Sequence, residues 1–282
     1  SGIKYEGYIK KFILDPLNMK RSGFFESKDD EISIPYVMLP DKDKITQPTP
    51  ATFPFNQFIF APGGLISSVK EMANDVIMVM NDGNFEEKQL FKPELLNEMQ
   101  EMHYTGRVHP ILSTFGESGY GYGWGITKDF FGYTLITHAG GITGGISYIG
   151  FLKEVKLGFV SIGNADGFPS KEILAALALL LGKDPDKELP FIVRENHYNK
   201  LCGQYATYGG IVKGSIVNKL GLLYAETKLP PLSMPLIPVD DTDEPLEFYY
   251  TNEFGVRMPA KFVIDDDQKV HLTIERNVLH KI

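Results

Sequence analysis

The run His138-Ala139-Gly140-Gly141 sets an imidazole, the one side chain that ordinarily titrates near neutral pH, directly against two residues without side chains. Glycine at 140 lets another backbone approach without a Cβ in the way. An imidazole at the end of an extended segment, beside open backbone, is what a catalytic cleft uses. The other chemistry-bearing side chains have weaker settings. His103, His109, His197, His271 and His280 show neither H-x-x-x-H nor H-E-x-x-H spacing, and Asp240, Asp241, Asp243 and Glu244 lack the calcium-loop pattern, so neither a metal nor another cofactor is expected. Cys202, beside Gly203, reads as a structural cysteine, and as the only one it excludes an internal disulfide.

The elements that position His138 lie between Gly119 and Asn164. Four extended segments follow one another: Gly119 to Gly125, alternating glycine with aromatics, then Thr134 to Thr137, Ile146 to Leu152 and Leu157 to Ile162. Connections this short join antiparallel neighbours. His138 is expected at the end of the second segment. Helices should flank this sheet. Ile3 to Leu14 carries Tyr5, Ile9, Phe12 and Ile13 on one face and is stopped by Pro16. Ser68 and Glu71 form a capping box that opens a helix through Met72, Val76, Ile77 and Met80 to Gly83. Lys92-Pro93-Glu94 opens another, running to about Met102. A last helix, Lys171 to Leu181, is apolar on nearly every side and is expected to be buried. Between 21 and 60 the chain is proline-rich and aperiodic, with Phe53, Phe55, Phe58 and Phe60 readable either as cleft wall or as core.

The 282 residues suffice for one large or two modest domains, and 43% hydrophobic residues can bury a substantial core. Lys183 to Glu195 shifts abruptly to charge and proline, which marks a domain boundary. Beyond it the chain is rich in strands: Gly203 to Tyr208, Ile211 to Val217, Lys219 to Glu226, Leu246 to Thr251, Val256 to Ile264 and Val270 to Glu275, with Asp265-Asp266-Asp267-Gln268 as a hairpin turn. A small antiparallel β-barrel fits. The expected fold class is α+β, an antiparallel sheet flanked by helices followed by that barrel, with domains at 1–183 and 197–282 and a linker at 184–196. A net charge of −8 without a basic block excludes nucleic acid as a partner, and the apolar run Ile173 to Leu181 is too short to span a bilayer.

The order G-Y-G-W-G, then H-A-G-G, then a hairpin ending in G-N resembles the serine β-lactamase and penicillin-binding-protein superfamily, in its class C-like esterase and peptidase branch. Ser1 to Met19, with Asn18 where the family has glycine in P-L-G-M, and the G-G-L-I-S-S start at Gly63 are similar to further family segments. The L-C-G-Q-Y opening at Leu201 resembles the lipocalin-like barrel that some members carry. The resemblance implies a serine acyl hydrolase cleaving an amide or ester, a short peptide foremost. It places His138 in the third motif, facing a tyrosine and the substrate. Ala139 and Gly140 would line the substrate, and the Gly141 N–H would form half of the oxyanion hole. Histidine in place of the usual lysine favours peptidase or esterase chemistry over β-lactam destruction.

The family's nucleophile and base lie in Ser-x-x-Lys and Tyr-x-Asn. Ser67-Ser68-Val69-Lys70 matches the first by letter, but the capping box accounts for its serines. Ser1-Gly2-Ile3-Lys4 matches at a fraying end, and Tyr250-Thr251-Asn252 falls in a late strand, after His138. The resemblance therefore implies that the working motifs precede Ser1, that this chain alone is inactive, and that it associates with itself or with that upstream segment. The alternative is a catalytically dead binding or interaction protein that uses the Gly/aromatic strand and the barrel interior as its surfaces.

Overall fold

The computed structural model describes residues 2–24, 32–39, 47–52, 57–106, 112–165, 170–228 and 230–282. Ser1, Phe53, Phe55 and His109 lie outside them. The chain divides into two compact units, Ser1–Ile173 and Leu174–Ile282.

In the first unit α1 (Tyr5–Ile9) continues into a π-helical turn over Lys10–Leu14, where the Asp15 N–H reaches back five residues to the Lys10 carbonyl (2.9 Å). The expected helix is therefore present but widens before Pro16. Asn18 then takes a left-handed φ of 59°, which asparagine tolerates best after glycine. Strands β1 (Tyr36–Leu39) and β2 (Gln47–Pro50) pair, and a helical turn, α2 (Phe60–Gly63), precedes α3 (Val69–Met80). A small ladder of β3 (Asn84–Phe85) and β4 (Lys88–Gln89) leads to α4 (Pro93–Met99). The main sheet then runs β5 (Tyr104–Thr105), β6 (Ser118–Tyr120), β7 (Gly125–Phe130), β8 (Tyr133–Ile142), β9 (Gly145–Leu152) and β10 (Leu157–Gly163), each antiparallel to its sequence neighbour. One face packs on α3: Val76 and Val79 share a core with Leu14, Leu17, Trp124, Ile136 and Phe151. Gly158 lets that helix come close, since a Cβ there would stand 2.8 Å from Val76 Cγ1.

Three expectations change here. The Gly/aromatic run is not one strand: β6 ends at Tyr120 and β7 begins at Gly125, with Gly123 at φ +81° in the turn between them. Glycine's freedom outweighed the alternating pattern. His138 does not end its strand, because β8 runs on through both glycines to Ile142, held by the β9 ladder. The helix α5 (Ser170–Leu180) buries Leu174, Leu177 and Ala178 on one stripe but leaves Leu179 and Leu180 exposed, so it is not buried all round.

In the second unit α6 (Pro185–Glu188) and α7 (Pro190–Leu201) occupy the proline- and charge-rich stretch. Eight strands follow in sequence order and close into a barrel: β11 (Gly203–Ala206), β12 (Lys213–Lys219), β13 (Leu222–Lys228), β14 (Pro231–Pro238), β15 (Glu247–Thr251), β16 (Arg257–Ile264), β17 (Val270–Ile274) and β18 (Asn277–Lys281). Two of these, β14 and β18, were not among the six expected. β14 is masked by prolines at 231, 235 and 238, residues that cannot donate to a ladder. The fold accommodates them because β14 pairs along its length with β13 but with β15 only at Ile237 and Pro238. The interior is filled by Tyr205, Phe248 and Phe262, each at most 1% exposed. This removes the barrel interior as a binding surface. α7 covers one end: His197 Nε2 donates to the Pro245 carbonyl (2.8 Å), Arg194 to the Thr242 carbonyl (3.1 Å), and Lys200 to Gln268 (2.8 Å).

Candidate active site

Alternation along β8 puts His138 and Gly140 on the sheet face that carries Ile136, and their cross-strand partners are Ile149 and Ser147. Ile136 and Ile149 belong to the core against α3, so His138 faces the α3 side. A cleft of about 1360 Å³ opens there. It is lined by His138, Ala139, Gly140 and Gly141 from β8, by Ser67 and Ser68 before α3, and by Met72 and Asp75 on it. All four residues singled out on β8 thus meet in one cleft.

The His138 Nε2 lies 3.0 Å from the Tyr120 hydroxyl. Surrounding protein lowers the imidazole pKa below its ordinary value by desolvating the charged form, although an edge of the ring remains open to solvent. A neutral imidazole with one nitrogen held by a phenol can present its other nitrogen as donor or acceptor. At Gly141 an added Cβ would meet nothing within 4 Å, so the strand has free space on that side, and Gly141 itself lines the cleft. At Gly140 a Cβ would run into the Ser147 hydroxyl.

The literal Ser-x-x-Lys is otherwise engaged. Ser68 caps α3 by accepting from the Glu71 N–H (3.3 Å). Glu71 does not complete the box toward Ser68; its carboxylate takes the Arg21 N–H (3.0 Å) and the Ser22 hydroxyl (2.6 Å). The Ser22 hydroxyl meets that of Ser67 at 2.6 Å, while Lys70 points to solvent. Lys70 is therefore not set to take a proton from Ser67. Tyr250 lies in the barrel core and donates to Glu275 (2.7 Å), and burial pushes the Cys202 thiol up, which keeps it unreactive.

Two residues escaped the sequence reading. Tyr120 sat in the Gly/aromatic run as one aromatic among several, and nothing in that pattern tied it to His138. Asp75 had a signal: it falls on the apolar stripe of α3 with Met72, Val76 and Val79, where an acid is out of place. It is half-buried in the cleft wall, has no hydrogen-bond or ion-pair partner among the described residues, and desolvation pushes its pKa up to about 6. Among the described residues no three groups are placed to hold a metal ion, and no helix is long and apolar enough to cross a membrane.

Residues 1–183 match the family described as Beta-lactamase, and residues 185–280 match the Pab87 octamerisation domain. The solved structure of the octameric penicillin-binding protein homologue from Pyrococcus abyssi is 35% identical with a TM-score of 0.84, over 99% of this chain and 60% of that one. A structure described as SurE aligns over 100% of this chain and 64% of that one at 16% identity, with a TM-score of 0.50. A D-stereospecific amidohydrolase from Streptomyces sp. aligns over 62% of this chain and 48% of that one, at 22% identity and a TM-score of 0.48. This chain thus spans about three-fifths of the length of the Pyrococcus protein. Among curated proteins none matches.

Proposed function

The chain belongs to the beta-lactamase family, and from that premise we propose that the complete polypeptide is a serine acyl hydrolase to which this chain contributes the third-motif wall of the active site. The substrate is an amide or ester, with short peptides the preferred class. The observation that carries the reading is the meeting of His138, held by Tyr120, with Gly140 and Gly141 in the wall of one cleft.

In this reading a serine hydroxyl from a segment outside this chain attacks the substrate carbonyl. The C–N or C–O bond breaks, and the leaving group departs with a proton. The Gly141 N–H and the serine's own N–H stabilise the oxyanion that forms and collapses. Ala139 and Gly140 lie along the substrate backbone. His138 donates a hydrogen bond toward substrate from the nitrogen that Tyr120 does not hold. Water then releases the acyl group.

The cleft volume supports a role for further polypeptide. At about 1360 Å³ it exceeds the ~300–1,000 Å³ of ordinary ligand pockets. The half-buried Asp75 carboxylate in its wall would gain a donor from such a segment. We take 1–183 as the hydrolase-like part, 184–196 as connector and 197–282 as the barrel. Self-association is supported by the match to an octamerisation domain and by the octameric Pyrococcus protein.

The test is hydrolysis of p-nitrophenyl acetate and of short peptide amides by the intact polypeptide and its His138→Ala variant. A burst of released p-nitrophenol is expected from an acyl-enzyme. The variant should lose about 10²- to 10³-fold in kcat/KM. An intact polypeptide that hydrolyses neither substrate would favour the second reading, a non-catalytic binding protein, which rests on Ser67 being held by Ser22 while Lys70 points to solvent.

A further inference from the structure

Strands β17 and β18 are joined by a tight turn at Glu275 and Arg276, and their register sets His271 directly opposite His280. Val270, Leu272 and Leu279 fill the barrel interior, so alternation puts both histidines on its outer surface. His280 is exposed and His271 partly so. Their Nδ1 atoms meet at 2.8 Å, with the ring planes at 84°. The pair has no H-x-x-x-H signature because it forms across a ladder, between residues nine apart in the chain.

Behind His271 stands a carboxylate that is itself held in place. Asp265 Oδ2 lies 3.1 Å from His271 Nε2, and Asp265 Oδ1 accepts the Lys269 N–H (2.8 Å). The turn that carries Asp265 is closed by its own N–H on the Lys269 carbonyl (3.0 Å) and by the Gln268 N–H on the Asp265 carbonyl (2.9 Å). A carboxylate only accepts, so His271 carries its hydrogen on Nε2, and the neutral ring turns the lone pair of Nδ1 toward His280. His280 can carry its own hydrogen on Nε2 as well, which gives the pair two converging lone pairs. A ligating imidazole whose other nitrogen donates to a carboxylate is the ordinary arrangement at a metal. Two nitrogens bound at ~2.0–2.1 Å to one ion stand about 3–3.4 Å apart, so the rings need part by only ~0.5 Å.

We propose that His271 and His280 form a binding site for a divalent transition-metal ion of the imidazole-preferring class, such as Ni²⁺, Zn²⁺ or Cu²⁺, with Asp265 orienting His271 from behind. The remaining coordination positions go to water. Selection comes from the ligands and not from net charge, since Lys200, Lys269 and Lys281 offset the carboxylates of Asp265, Asp266 and Asp267 nearby. Imidazole suits these ions, whereas Mg²⁺ and Ca²⁺ take oxygen. The ion ties β17 to β18 where His280 also pairs with Ala206, at the seam of two residue pairs that closes β18 on β11. The site lies wholly in the second unit, so it stands or falls independently of the hydrolase reading.

The test is isothermal titration of the intact, tag-free polypeptide with NiCl₂ and ZnCl₂, and with MgCl₂ as control, for the wild type, for His271→Asn/His280→Asn and for Asp265→Asn. The wild type should take up one Ni²⁺ or Zn²⁺ more per chain than the double variant, and Mg²⁺ should not replace it. Asp265→Asn should weaken that step about 10- to 100-fold. Equal uptake by wild type and double variant overturns the proposal, as does a Mg²⁺ step of the same strength. Undiminished affinity in Asp265→Asn overturns the orienting role of the carboxylate. Should the double variant fold poorly, the wild type decides: Zn²⁺ should block modification of His271 and His280 by diethylpyrocarbonate, read by peptide mass spectrometry, and modification unchanged by the ion overturns the proposal.

Discussion

The sheet unit and the barrel use antiparallel strands in opposite ways. The barrel is closed and filled: its eight strands ring back from β18 to β11, and Tyr205, Phe248 and Phe262 occupy its interior. The sheet unit keeps an opening of about 1360 Å³ on one side, with glycine backbone, an imidazole and a half-buried carboxylate exposed to it. One unit fills its own interior. The other presents groups that need something else, whether substrate or polypeptide. The open cleft and the filled barrel thereby lie in separate stretches of the chain.

The largest effect should come from breaking the filled side of this contrast. Phe262 is fully buried and packs edge-on against Phe248 and Tyr205 at 5.6 and 6.3 Å. Phe262→Ala leaves a cavity no solvent can fill and should cost about 3–5 kcal/mol. Trp124 is the single tryptophan and lies in the sheet core, so its fluorescence reports that unit alone, whereas far-UV circular dichroism reports both. In urea the dichroism transition should move to lower concentration and the fluorescence transition should stay. Equal shifts of both would mean that the units do not unfold separately.

Asp75 sharpens the other side. Its folded pKa of about 6 exceeds the ordinary 3.8, so the folded state binds a proton that the unfolded state has already released. The stabilisation this gives is complete below pH 3.8 and is lost as pH rises through about 6. Asp75→Asn removes the buried charge at high pH and should stabilise this chain by about 1–3 kcal/mol at pH 8, with little effect at pH 4. In the intact polypeptide a donor opposite Asp75 should reverse the sign, so that the same substitution destabilises at pH 8. Urea unfolding at the two pH values reads both. Stabilisation of equal size in chain and intact polypeptide would leave the cleft without the proposed occupant.

The same contrast explains how much of the molecule was legible in the sequence. Six of the barrel's strands and three of the four segments of the main sheet, those at 134–137, 146–152 and 157–162, could be read because burial on one face imposes a period of two. β14 hid behind its prolines, and the turn at Gly123 hid behind an alternation that looked like a strand. In the site, glycines and an imidazole announce themselves by residue type, which is why His138, Ala139, Gly140 and Gly141 could be named together. Tyr120 could not, because its contact with His138 depends on where β6 stops. Glu71 was assigned to a cap by spacing alone, but in the fold it meets Arg21 and Ser22, fifty and forty-nine residues away.

The smallest expected effect tests whether the Tyr120 contact matters to the open side at all. A single hydrogen bond at a solvent-facing imidazole contributes ~0.5–1.5 kcal/mol. Tyr120→Phe keeps the ring and removes only the hydroxyl that His138 Nε2 meets at 3.0 Å. If that hydroxyl orients the imidazole for work on a substrate, the intact polypeptide should lose about 2- to 10-fold in kcat/KM. Chain stability should change by under ~0.5 kcal/mol, since the site is not part of the core. The proton resonances of His138 should also titrate at a changed pKa in the variant, because the bond acts on the imidazole directly. A stability loss equal to the activity loss would instead make Tyr120 a packing residue, and the cleft would then owe its imidazole geometry to the β8–β9 ladder alone.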